Sequence, residues 1–181
     1  MDGLGERILS HYEKYLGQYV GADQYTDGGS IIQLLGYDGV FEGCLVFATL
    51  GLSKCSDAVG RVCELICAAD SDWDECAEVL MNAVFCAVTD GIRLGCGSVI
   101  SGIESISEEF AASHGKSAVY FTGNCLLPEG FSDAGGCEML TAFFVSGSEA
   151  RHIIENGPES FEDLLEQAGA DITVLDRPPV I

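Results

Sequence analysis

Ile8, Leu9, Tyr12, Leu16 and Tyr19 recur at the helical interval and predict an N-terminal helix over 6–20, limited by Gly17 and Gly21. Two short apolar runs follow, 31–37 and 44–50, bounded by Asp27-Gly28-Gly29, Asp38-Gly39 and Gly51. Such runs between glycine-rich turns predict consecutive strands forming a hairpin. The run 62–68 has Glu64 as its sole charge, which predicts a strand at or near the centre of a sheet. The clearest helix is 72–89, with Trp73, Cys76, Ala77, Leu80, Val84, Ala87 and Val88 on one stripe. Ser71 followed by Asp74 resembles a capping pattern at its start, and Gly91 stops it. Further strands are expected over 118–122 and 139–146. Helices are expected over 149–156 and 159–168, divided by Gly157-Pro158 and ended by Gly169, with an extended piece over 171–175. Strands interrupted by helices without regular alternation predict an α+β fold, a single compact domain with a mixed β-sheet flanked by helices.

Composition narrows what such a domain does. At 181 residues and 48% apolar the chain matches one domain over 1–181, with 1–29 an N-terminal helix and its connection. Eight basic against twenty-nine acidic residues leave a net charge of −21. That charge argues against nucleic acid and against anionic membrane surfaces, and it predicts a basic protein partner. Uncharged runs such as 79–89 and 94–103 are too short to span a bilayer, and the acidic start lacks the pattern of a secretory signal, so a cytoplasmic location is expected. The nine cysteines form no paired CxxC motifs and are expected mostly as buried, reduced thiols.

Candidate chemistry is sparse. His11, His114 and His152 have no second ligand three or four residues away, and Cys63 and Cys67 on one strand face lie about 13 Å apart, so no metal site is expected. GxSxG and a phosphate loop are absent from the sequence, and no cofactor is expected. Glu42, Glu64, Asp70 and Glu104 near strand ends could form a carboxylate pair, though twenty-nine acids make such proximity common. The cluster Asp70, Asp72, Asp74, Glu75 and Glu78 has two readings: capping charges on a helix start, or a patch that steers a basic partner.

Several stretches in order resemble the Suppressor of fused family in its bacterial single-domain form. They are FEGCLVFATLGLS at 41–53, Cys63-Glu64-Leu65, Leu126-Leu127-Pro128, the Glu155-Asn156-Gly157 break within 149–165, and Val174-Leu175-Asp176-Arg177. The resemblance covers about 30–181, with ATLGLS its most specific piece. It implies an α+β domain with closing helices, a terminal strand and no known catalytic centre. It also implies action by protein binding, the eukaryotic relative taking a peptide as an added strand and many bacterial relatives resembling immunity proteins that neutralise toxins. The expected function is therefore a non-catalytic immunity or antitoxin-type protein that sequesters a basic, toxin-like partner. Partner-binding candidates are Glu42, Thr49, Ser53, Asp70, Asp72, Asp74 and Glu75, while Arg177 is expected to pair with an internal acid. The alternative is an enzyme or thiol-based sensor using a cysteine or carboxylate such as Cys63 or Glu64.

Overall fold

Residues 3–71 and 73–181 are described by a computed structural model; Met1, Asp2, Asp72 and the side chain of Trp73 lie outside the described residues. The centre of the fold is β4, Cys63–Ala69, buried along its whole length because helices cover both of its faces. It is the fourth of seven strands in the order β1-β2-β3-β4-β7-β6-β5. The strands are β1 Gly21–Asp27, β2 Ser30–Phe41, β3 Cys44–Leu50, β5 Ser98–Ser101, β6 Ala118–Gly123 and β7 Glu138–Val145. Only the β4–β7 pair is parallel, so the sheet is mixed. This is the single compact α+β domain expected from strands interrupted by helices without regular alternation, and the expected hairpin is β2–β3.

Alternate positions of each strand feed different layers. Leu65 and Cys67 of β4 join Phe47 and Leu140 beneath α3, Trp73–Asp90. Ile66 and Ala68 face the other way, against Ile8 and Tyr12 of α1, Gly3–Leu16. Beside α1, Tyr120 and Phe143 pack on Ile153 of α6, Gly147–Asn156, and on Phe161 of α7, Pro158–Ala168. Short helices α2 Ser56–Val59, α4 Ile103–Ile106 and α5 Glu108–His114 fill the connections.

Four departures from the expected elements have local causes. Helix α1 ends at Leu16 before Gly17, leaving Tyr19 outside it and 47% exposed. Strand β1 has no apolar alternation of its own; the Asp27-Gly28-Gly29-Ser30 turn folds it onto β2, and both central glycines have positive φ, as a tight hairpin requires. Strand β5 is four residues long and too short for a periodic signal. The expected terminal strand over 171–175 is not formed, because Asp171 Oδ1 accepts both the N–H and the hydroxyl of Thr173 and curls the chain into a turn.

Candidate functional site

The ATLGLS stretch is the end of β3 and the turn after it. Gly51 has φ +117°, and a Cβ there would come within 2.9 Å of the Ile31 carbonyl oxygen, so the turn requires glycine. Beneath it lies Glu64, fully buried on the α1 side of β4. Its carboxylate accepts the Thr49 hydroxyl at 2.7 Å and the N–H groups of Gly51, Leu52 and Ser53 at 2.8, 3.2 and 3.1 Å. The Thr49 hydroxyl in turn accepts the Leu65 N–H, and Tyr12 of α1 donates to the Thr49 carbonyl. Burial pushes the Glu64 carboxyl up, and the hydrogen bonds only partly offset that. Glu64 thus fastens a turn and presents no surface to a substrate.

The six candidate residues that the structure describes divide between the two ends of β3. Thr49 and Ser53 lie at one end. Thr49, expected at a partner contact, has no exposed surface, and its hydroxyl is spent on the turn. Ser53 is nearly buried and lines a hollow of about 320 Å³ with Gln24, Ile31, Gln33 and Lys54. Glu42, Asp70, Asp74 and Glu75 belong to the other end, where Leu45 pairs with Ala69 and the Cys44 thiol meets Thr173. Strand geometry puts about 20 Å between the ends. Asp72 lies outside the described residues.

At the acidic end, several carboxylates already hold structure. Asp70 Oδ1 accepts the Leu175 N–H at 2.7 Å, and the Asp70 N–H donates to the Thr173 carbonyl. Glu75 accepts from Ser71 and bonds His114 Nε2 at 3.1 Å, while His114 Nδ1 meets Asp176 at 2.6 Å. Burial pulls the His114 pKa down, but the two carboxylates outweigh it and the net shift is upward. Asp70 and Glu75 therefore clasp the C-terminal segment to the sheet and α3. Burial raises the phenol of Tyr25 on β1, and Asp23, then exposed Asp74 and Glu78, raise it further. Helix α3 lies beside this edge strand, the Thr89 hydroxyl donating to Asp27 at 3.4 Å.

Sequence reasoning overlooked Tyr25 and its strand, although the Asp27-Gly28-Gly29 signal marks a hairpin as readily as a boundary. Arg177 does pair with an internal acid: its guanidinium bonds both oxygens of Glu149 at 2.6 and 3.3 Å.

The family model of the Suppressor of fused protein matches residues 28–178. The chain belongs to the Suppressor of fused family. Its fold is similar to that of a putative Suppressor of fused homolog from Neisseria gonorrhoeae FA 1090, with TM-score 0.76 at 11% identity over 98% of this chain and 97% of that one. It is also similar to the crystal structure of the Sufu–Fu complex, with TM-score 0.66 at 15% identity over 98% of this chain and 92% of that one. No curated protein matches the sequence. The family match takes in β2 to β7 and both ends of β3, including Glu64 and the acids around α3, while α1 with Tyr12 and strand β1 precede it.

The thiols have their own pattern. All nine cysteines are free, and burial pushes Cys63, Cys76 and Cys137 up to about 12 and raises Cys67 as well. Cys86, Cys96 and Cys125 are exposed, and the Cys125 thiol is shifted upward, away from thiolate character. Among the described residues no group of three metal-ligating side chains converges, and no helix is long and apolar enough to cross a membrane.

Proposed function

We propose that this member of the Suppressor of fused family is a non-catalytic, cytoplasmic protein-binding domain of the immunity or antitoxin type, which sequesters a basic partner. The observation that carries the reading is the edge strand β1, exposed at every position but Gly21 and Tyr25 and lying beside α3, whose Thr89 hydroxyl donates to Asp27, in a chain of net charge −21. An open strand edge offers backbone donors and acceptors to an extended segment, and the surrounding carboxylates select a basic one. The Sufu–Fu complex supplies the precedent of a protein partner bound by a chain of similar fold. The enzyme alternative through Glu64 or Cys63 meets a carboxylate whose oxygens are occupied and buried and a thiol that burial has raised.

The test is capture of partners by the full chain at low and moderate salt, with identification by mass spectrometry, followed by association kinetics. The expected result is a stoichiometric basic protein whose association slows as salt rises. Asp74→Asn with Glu78→Gln should slow association several-fold and leave dissociation nearly unchanged. A partner that is acidic, or one whose association ignores both salt and these substitutions, overturns the reading.

A further inference from the structure

A cavity of about 540 Å³ opens between α7, the sheet around Thr122 and Phe143, and segment 169–172. Its size falls in the range that receives small organic ligands. Leu126, Phe143, Leu165 and Ile172 give it apolar walls. Half-buried Glu162 stands among them, and its Oε1 accepts the hydroxyls of Tyr120 and Thr122, each at 2.7 Å.

That arrangement is built rather than incidental. Tyr120 is fully buried, with its ring between Phe143 and Phe161 at 5.1 and 5.4 Å, so its hydroxyl is held in place. Burial raises the Tyr120 phenol, and the bond to Glu162 raises it further, keeping it a donor. Both hydroxyls go to one oxygen, and Oε2 accepts from none of the described residues. The other charged groups lining the cavity, Glu166 and Asp171, are acidic and exposed, and no basic side chain lines it. A positioned carboxylate with a free oxygen, apolar walls and an anionic rim match one ligand chemistry.

We propose that this cavity binds a small organic cation, a primary ammonium or guanidinium on an apolar stem, with the charged head on Glu162 Oε2 and the stem along Leu165 and Ile172. The site is separate from edge strand β1, and it stands whether or not the protein-binding reading holds.

Calorimetry and methyl NMR on the full chain, with hexylammonium, hexanoate and hexanol as probes, test it. Hexylammonium should bind and shift the methyl resonances of Leu126, Leu165 and Ile172, with hexanoate and hexanol at least about tenfold weaker. Glu162→Gln keeps an acceptor for Tyr120 and Thr122 and should weaken hexylammonium about tenfold or more. Ala170→Leu, which narrows the cavity without touching Glu162, should weaken it too, so a folding defect in one variant leaves the other as the test. A blocked lysine, acetylated and amidated, separates two sources of the same chemistry. Affinity equal to hexylammonium assigns the cavity to a partner's side chain, and weaker affinity assigns it to a free amine. Binding of hexanol equal to that of hexylammonium, unchanged binding in both variants, or no methyl shifts at these residues overturns the proposal.

Discussion

Glu64 and Glu149 each bury a carboxylate completely, one at the centre of the sheet and the other where the C-terminal segment meets the start of α6. Their surroundings differ in one respect. Glu64 accepts from neutral donors, among them the Thr49 hydroxyl and three backbone N–H groups, and burial prevails, pushing its carboxyl up. Burial pulls Glu149 upward too, but the Arg177 guanidinium, with the N–H groups of Ser146 and Val180, prevails and holds it below the usual carboxylate range. Dipoles satisfy the oxygens of a buried acid, while a full opposite charge is what offsets the loss of hydration. The two acids also do different jobs. Glu64 ties a turn to its neighbouring strand, and Glu149 anchors the chain's last residues to a helix start through the Ser146 capping box.

The largest expected effect breaks the charged member of this pair. Glu149→Ala leaves Arg177 buried without its partner and should cost about 3–5 kcal/mol in urea unfolding. Replacing both Glu149 and Arg177 by Met should recover most of that loss. If the double variant is as unstable as the single, the anchoring contacts matter more than the charge.

A smaller loss, about 1–2 kcal/mol, is expected for Glu64→Gln. The amide NH2 opposes one of the four donors, but removing the charge also removes its desolvation cost. A loss as large as that of Glu149→Ala would show that Glu64 depends on its charge after all.

Titration sharpens the contrast because the two signs are opposite. Glu64 has a folded pKa above the unfolded value of about 4.3, so its contribution is complete below that pH and is lost as pH rises through the folded pKa. Glu149 has a folded pKa below it, so its contribution is present above about pH 4.3 and is lost as pH falls through the folded value. Urea midpoints against pH should flatten on the acid side in Glu149→Ala and above about pH 4.3 in Glu64→Gln. Identical profiles in both variants would remove the distinction.

The smallest effect belongs to His114. Its folded pKa is raised, so the clasp on Glu75 and Asp176 is fully in place below about pH 6.5 and weakens as pH rises through the folded value. Hydrogen exchange in 171–177 should quicken over that range, and His114→Gln should abolish the pH dependence of the exchange.

The readability of the chain follows the reach of its forces. Helix α3 and strand β4 were legible because each buries a pattern written within its own residues: a stripe at helical spacing in one, an unbroken apolar run in the other. Strand β1 was not, since GADQYTD buries almost nothing and is a strand only through pairing with β2. The candidate site divided in the same way. The acids opening α3 could be recognised as a group, but their separation into clasp and free surface depends on Thr173, Leu175 and Asp176, about a hundred residues downstream. Thr49 looked available because a threonine beside a glycine turn carries no mark of burial, and only the approach of Glu64 from the adjacent strand encloses it.

By itself, then, the sequence determined the mixed α+β character, the central strand, the helices with one-sided apolar faces and a net charge of −21, since each depends on local periodicity or on simple summation. Only the tertiary structure decided which buried acid meets a cation, which acids remain free beside the edge strand, and where Glu162 stands against Tyr120 and Thr122. Burial and charge pairing depend on distances in space, and Glu149 reaches Arg177 across twenty-eight residues that no local pattern connects.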